Sequence, residues 1–400
     1  MAANRPRRIL IAGLGVAGAT LAWWLAEFRF EVTVVERAPR PRTSGYMIDF
    51  WGLGYEVAER MGLIGDLRAR GYQIDQIRLV GADGRRLVTI RAEAVRKAMG
   101  ERFFSLMRGD LAGRLREHVG DRADIRFGDS IASLRQHKDG VEIGFEQAGE
   151  ATFDLVVGAD GVHSAARAAI VPEDCEHALG YWTAAFSAEA YPHRDPDAYV
   201  SYTDVGRQVA RYALRDDRTA FFFVFRAPAG EPNPPRARRE QELCLRAAFA
   251  DGAWECAEIL ALLDDRADLY FDSVSQVRAP RWSSGRVALV GDAAWCPSLL
   301  AGEGASLAMA GAYVLAGELD RCGDDHAAAF ERYDRLLRPM IERKQRGALW
   351  LGGWFAPKSA LGLAVRNGLS RLAAIPAFTP LLIGDMLSSG VVLPDYGGGD

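Results

Sequence analysis

The chain has 400 residues, of which 49% are apolar and 26% charged, and its formal net charge is −4. That is material for a large core in more than one domain, in an ordinary globular balance with no electrostatic basis for binding nucleic acid. Of 49 basic residues only four are lysine (Lys97, Lys138, Lys344 and Lys358), so arginine clusters such as Arg236–Arg239 read as compositional bias on a solvated surface.

Arg8 to Ala12 is a short apolar run, as expected of a buried parallel strand. A glycine turn follows, then a helix over 16–28 in which Leu21, Trp24, Leu25 and Phe28 recur at helical spacing. Glu31–Glu36 is a second strand, completing a βαβ start. Residues 43–51 read as extended, 54–61 as helix, and 77–80 with 86–90 as a hairpin turning at Ala82-Asp83-Gly84. A helix is expected over 110–119, capped at Gly109-Asp110, and strands over 125–127, 130–136, 140–146 and 153–157. From Tyr181 to Phe225 the pattern turns β-rich, with strands at 182–190, 199–203, 208–214 and 219–225. Helices over 239–249 and 256–263 and a strand over 269–277 follow. A strand at 287–290 then leads to long helices over 304–319 and 327–347, and to an apolar tail broken by Gly352-Gly353, Pro357, Pro376 and Pro380. Alternating strands and helices at both ends, with strands between, imply a discontinuous nucleotide-binding domain carrying a β-rich insertion.

Five scattered cysteines contain no Cys-x-x-Cys pair and read as reduced thiols of a cytoplasmic protein, not as a redox dithiol or a zinc site. The six histidines show no ligand spacing, so no metal is expected; His163 is the most noticeable and reads as structural or solvent-facing. Arg5–Arg8 followed by uncharged Ile9–Ala26 imitates a signal peptide or a membrane span. The glycines at 13, 15 and 18 and the resumed strand argue against stable membrane insertion.

Gly13, Gly15 and Gly18 suit a tight turn, close approach of backbone to a pyrophosphate, and close helix–sheet packing. The N–H groups of a helix start then face phosphate charge near Ala17. Glu36 ends the second strand, where its carboxylate and neighbouring Arg37 suit the ribose of an adenosine. This motif alone leaves NAD open beside FAD. A middle motif, Gly158-Ala159-Asp160-Gly161, follows a buried strand. A late one, Gly291-Asp292, follows another; Asp292 suits the hydroxyls of a ribityl chain, or caps a turn. Ala301–Ala305, with Gly302, Gly304 and Ala305, forms a glycine-rich helix entry that favours negative charge at a flavin ring.

With these motifs the chain resembles the class A flavoprotein aromatic hydroxylases, the family of para-hydroxybenzoate hydroxylase. In style it is similar to the tetracycline-inactivating and polyketide-tailoring flavin monooxygenases. The resemblance runs over essentially the whole chain and also carries Asp160-Gly161 with Arg167, and Arg108-Gly109-Asp110-Leu111. It implies an α/β, Rossmann-like FAD-binding domain with an inserted β-rich substrate domain and a C-terminal helical segment. Residues 1–73, 101–174 and 284–335 would form the first, 74–100 and 175–283 the second, and 336–400 the third. It also implies that Arg108 contacts FAD and that the strand at Gly45–Asp49 passes beside the flavin ring.

The implied reaction begins with NADPH or NADH as a transient reductant of FAD. Dioxygen then adds at the flavin C4a position, and one oxygen atom passes to an aromatic or polycyclic small molecule. A monomer or homodimer is expected. A cyclase or reductase on the same scaffold, and an FAD-holding redox sensor, are the competing readings. Candidate substrate contacts are Asp49, Tyr212, Phe223, Trp295 and Pro297. Asp49 is also read as surface-facing and Trp295 as packing. Where the family often reads Gly-Asp-Ala-Ala-His-Pro, Trp295 replaces the histidine and Cys296 precedes Pro297. No residue is identified as a catalytic base.

Overall fold

The computed structural model describes residues 7–41, 45–93, 96, 101–231, 233–263, 268–375 and 390–397. In chain order it runs β1 (Arg8–Ala12), α1 (Val16–Glu27), β2 (Glu31–Glu36), β3 (Met47–Trp51), α2 (Gly52–Arg60), α3 (Ile64–Arg70), β4 (Gln76–Val80), β5 (Arg86–Arg91), β6 (Phe103–Met107) and α4 (Arg108–Val119). Next come β7 (Asp124–Phe127), β8 (Ile131–Gln136), β9 (Val141–Phe145), β10 (Glu150–Phe153), β11 (Leu155–Gly158), α5 (Ala165–Ile170), β12 (Glu176–Glu189), β13 (Ala198–Asp204), β14 (Arg207–Ala213) and β15 (Arg218–Arg226). The chain ends with α6 (Arg238–Ala248), α7 (Cys256–Ala261), β16 (Tyr270–Val277), β17 (Ser283–Ser284), β18 (Val287–Leu289), α8 (Asp292–Trp295), α9 (Gly304–Cys322), α10 (His326–Ala348), α11 (Leu351–Phe355) and α12 (Ala360–Ala373).

A six-stranded sheet in the order β17-β18-β11-β1-β2-β7 holds the nucleotide-binding half. Its inner strands are parallel and buried on both faces, which is why Ile9, Leu10, Ile11, Val156 and Val157 read as unbroken apolar runs. Helices α1 and α9 pack against each other beside it, with small residues along α9 permitting close approach.

The inserted sheet has seven strands in the order β16-β12-β15-β14-β13-β4-β5. Strand β15 has both edges paired within the sheet, and separate layers cover its two faces. Phe221, Phe223 and Phe225 meet α6 and α7 through Leu245, Phe249 and Ile259; Phe222 and Val224 face Leu300, Ala348 and Leu351. Two smaller sheets, β10-β9-β8 and β3-β6, complete the molecule. The β3-β6 pair lies between the two large ones.

The expected elements are present, with differences that have local causes. The run at 153–157 divides at Asp154, whose carboxylate accepts from the Arg8 backbone N–H at 2.7 Å; β10 joins one sheet and β11 another. Helix α4 starts at Arg108 rather than Asp110. Strand β6 and helix α3 escape pattern reading because each is short. The expected boundary at 335/336 falls inside α10, which is continuous to Ala348. The extended reading at Thr43 and Ser44, and the breaks at Pro376 and Pro380, lie outside the described residues. Among the described residues, no helix is long and apolar enough to cross a membrane.

Candidate functional site

The first glycine turn is shaped by contact with the middle motif. Gly13 has φ +98°, and a Cβ there would stand 2.6 Å from the Ala159 carbonyl oxygen. Gly18 lies behind it, where a Cβ would be 1.9 Å from the Gly13 oxygen. Gly15 is different: nothing stands within 4 Å of its missing Cβ, so its backbone is open. Helix α1 begins there without a side-chain cap, leaving its first N–H groups unpaired toward the opening. Glu36 anchors this turn. One carboxylate oxygen accepts from the Leu14 N–H and the other from the Ala38 N–H, each at 2.9 Å. Each oxygen keeps a lone pair for a further donor.

The middle motif connects the other two. Asp160 accepts from the Ser164 hydroxyl and from the N–H groups of Ala165 and Ala166 at 2.8 and 3.2 Å. Its carboxylate thus secures the start of α5. Buried Arg167 donates to the Val162 carbonyl and, at 3.1 Å, to the Ala293 carbonyl. It ties the middle motif to the late one across 126 residues.

At the late motif, Gly291 has φ +64° and would carry a Cβ 2.9 Å from that of Ala17. Asp292 follows, its Oδ1 4.0 Å from the site of a Cβ on Gly304. Burial pushes the Asp292 carboxyl pKa upward, against the pull of nearby Arg108. The Arg108 pKa lies above its ordinary value, first through neighbouring Tyr46, whose own phenol is pushed up to about 12 by burial. The Cys296 thiol is raised further by burial and by Asp292. Gly302 (φ +71°) is open, and α9 starts at Gly304 without a side-chain cap.

One cleft of about 400 Å³ runs from Gly13 to Gly302. It brings together Gly13, Gly15, Ala17, Glu36, Arg37, Arg108, Asp160, Asp292, Gly302, Gly304 and Ala305. Gly18 and Gly45 stand behind it; a Cβ on Gly45 would lie 3.4 Å from the Arg108 Cβ. Tyr46 and Ile48, from the strand expected beside the flavin ring, also line it, and so do Arg116, Tyr270, Asp272, Cys296 and Ser298, which sequence reasoning did not name as contacts. Arg116 had a signal, because Arg108, Ala112 and Arg116 recur along one face of α4. Tyr270 and Asp272 sit two apart on β16, and nothing in their spacing distinguishes them from core residues. His163 lies at the rim, 3.1 Å from Glu176 and 4.0 Å from Asp272.

The cleft fits an extended dinucleotide. Two uncapped helix starts open on it, the glycines at 15 and 302 leave their side of it clear, and Glu36 and Asp292 supply acceptors at its ends.

Four of the five candidate substrate residues are buried. Phe223 is fully buried against Phe186 and Phe249 on the far face of the sheet. Trp295 is buried between Trp282 and Tyr333, at ring distances of 4.4 and 5.7 Å. Tyr212 is buried and receives the Met47 N–H on its hydroxyl at 2.7 Å, bracing β3. Pro297 is buried, its carbonyl accepting from Gln276. Asp49 differs. Its side chain is exposed and accepts from the Ser105 hydroxyl at 2.6 Å. Burial, and then the Asp49 charge, push the phenol pKa of partly exposed Tyr199 upward.

The model of the FAD binding domain family matches residues 7–343. The chain belongs to this family. A flavin-dependent monooxygenase from an unknown prokaryotic organism is 35% identical over 370 residues, covering 91% of this chain and 94% of its own. Among solved structures, the tetracycline destructase Tet(51) superposes with a TM-score of 0.82 at 30% identity, covering 99% of this chain and 100% of the other. HpxO of Klebsiella pneumoniae, in complex with FAD and uric acid, shares the fold with a TM-score of 0.81 at 22% identity, over 96% of this chain and 97% of its own. The protein is therefore a flavin-dependent monooxygenase that binds FAD, in the para-hydroxybenzoate hydroxylase-like fold. Use of NAD(P)H follows from the family.

Proposed function

We propose that this monooxygenase places one oxygen atom from dioxygen on an aromatic or polycyclic small molecule, consuming NADPH or NADH. The observation that carries the reading is the aromatic character of the flavin end of the cleft. Tyr46 stands 5.4 Å from Tyr270 and 5.8 Å from Phe222, ring to ring, where the two domains meet. A planar substrate would find offset-stacking partners there. The naming of relatives as tetracycline destructases supports a polycyclic substrate.

In this reading the residues of the first turn and Glu36 hold the adenosine end. Asp292, with the α9 start, holds the ribityl chain and the ring. FAD, when bound and reduced, supplies activation of dioxygen. The protein's part is then electrostatic and steric. Arg108 and the positive end of α9 favour negative charge at the ring. Buried Leu300 and the Trp282-Trp295-Tyr333 cluster wall the late motif from water. Asp49 and Tyr199 offer polar contacts to substrate hydroxyls.

The test is a panel of phenols and polycyclic compounds added to the yellow holoenzyme with NADPH. A member of the panel should speed NADPH oxidation and yield a product heavier by one oxygen. Conversion without NADPH and dioxygen would instead establish the cyclase-type reading. Failure of every compound, with FAD bound, would move the substrate outside the aromatic and polycyclic classes.

A further inference from the structure

Helix α12 is built inside out. Its buried positions are Arg366 and Ser370, while Leu361, Val365, Leu369 and Leu372 are exposed by 76%, 54%, 42% and 37%. These four recur at intervals of four, four and three, so they form one apolar stripe facing away from the protein. Arg366 points inward. Its guanidinium lies 5.8 Å from the centre of the Trp354 ring and 3.4 Å from the Gln208 side-chain oxygen of β14. Placing a guanidinium inside and four large aliphatic groups outside reverses the usual preference. That arrangement stands if the outer face meets something apolar.

The stripe continues into a basic and aromatic surface. Trp354 also touches Trp350, at 6.1 Å between rings, and Trp350 and Leu349 are half exposed. From Arg343 to Ile375 the sequence holds six basic residues and no Asp or Glu, in a chain of net charge −4. Of the six, Arg343, Arg346, Lys358 and Arg371 are exposed. Arg343, Arg346 and Trp350 share one side of the helical path by their spacing of three and four. Tryptophan beside arginine and lysine around an apolar helix face is the composition of a helix lying in a lipid interface. Glu342 lies 4.0 Å from Arg346, and the remaining excess of basic residues adds attraction to an anionic surface.

We propose that the face formed by Leu349, Trp350 and the outer stripe of α12 docks reversibly on an anionic lipid bilayer. The apolar stripe enters the headgroup boundary, and the four exposed basic residues meet the phosphates. Because α12 packs on β5 and β14 of the substrate sheet, docking brings that sheet to the bilayer, where apolar small molecules concentrate.

The experiment is co-sedimentation of the FAD-loaded enzyme with large vesicles of phosphatidylcholine, alone or with phosphatidylglycerol. The bound fraction should rise with phosphatidylglycerol and fall with salt. Brominated acyl chains should quench tryptophan fluorescence in native protein and less in Trp350→Phe. Leu361→Glu/Leu369→Glu should weaken partition by at least about tenfold, while FAD content and melting temperature stay unchanged. Absence of binding to both vesicle types would overturn the proposal. So would a dimer in light scattering that Leu361→Glu/Leu369→Glu dissolves, which would assign the face to a second copy. A melting temperature that the double substitution lowers without vesicles would also overturn it, because the stripe would then be covered by the chain itself.

Discussion

Glu36 shows how one side chain can serve both the protein and its cofactor. Both oxygens are engaged by backbone N–H groups of the loops on either side of the adenosine end. Glu36→Ala should therefore weaken FAD binding by about 1–3 kcal/mol in calorimetry, since charge-assisted acceptors are lost and two N–H groups are left without partners. Unchanged affinity would move the ribose contact elsewhere. His163 offers a prediction in pH. Its pKa is raised above the ordinary 6.5, first by a hydrogen bond to Glu176, while His163 holds the Glu176 pKa below the ordinary 4.5. The histidine's stabilisation is whole below 6.5 and is lost as pH rises through its folded value; that of the glutamate is whole above 4.5 and is lost on acidification. The melting temperature of native protein should thus decline from pH 6.5 upward more than that of His163→Gln, by a small margin because the ring is 61% exposed. Parallel curves would refute the coupling. The sequence located Glu36 because strand, turn and helix surround it in a fixed order. It left Asp160 as a cofactor contact, because capping by its carboxylate is visible only once α5 is in place.

At the scale of elements, α8 and α9 were built to fit one another. A Cβ on Gly311 would come 2.7 Å from the Trp295 ring. The bulky indole, standing where relatives of this style often carry histidine, is matched by a missing side chain on the facing helix. Gly311→Ala should cost about 1–3 kcal/mol of stability by overpacking. Combination with Trp295→Phe should recover part of that loss, and urea unfolding of the double-mutant cycle measures it. Additive effects would mean that the two do not press on each other. Such pairing is illegible in a single sequence. Periodicity announces that Trp295 is buried or ligand-facing, but which of the two depends on Trp282 and Tyr333, 13 and 38 residues away. The same holds for Phe223. Alternation along β15 gave two sets of aromatic residues, and only the strand's central place in the sheet shows that helices α6 and α7 cover the set containing Phe223.

For the whole molecule, the glycine motifs, the buried parallel strands and the inserted β-rich block were legible, because each has a local signature. The β3-β6 pair and the end of α10 were not, since they depend on contacts between distant segments. The cofactor cleft is itself such a contact, with Gly13 and Asp292 lying 279 residues apart in the chain. Asp292→Ala should accordingly lose its yellow colour on extended dialysis. Native protein should melt at a higher temperature with excess FAD than without it, as mass action requires for a ligand bound only by the folded form. Equal melting temperatures, or full colour in the variant, would count against the assigned grip.

The strand order of the six-stranded sheet bears on how the protein is made. Neighbours β11 and β18 are separated by the entire inserted block, so a ribosome must deliver residue 289 before the last parallel partner can arrive. Until then the outer edge of β11 offers its hydrogen-bonding groups to any passing strand. A nascent chain therefore spends much of its synthesis with the nucleotide half incomplete, and the insertion, contiguous from β12 to β16 except for its β4-β5 edge, is poised to settle first.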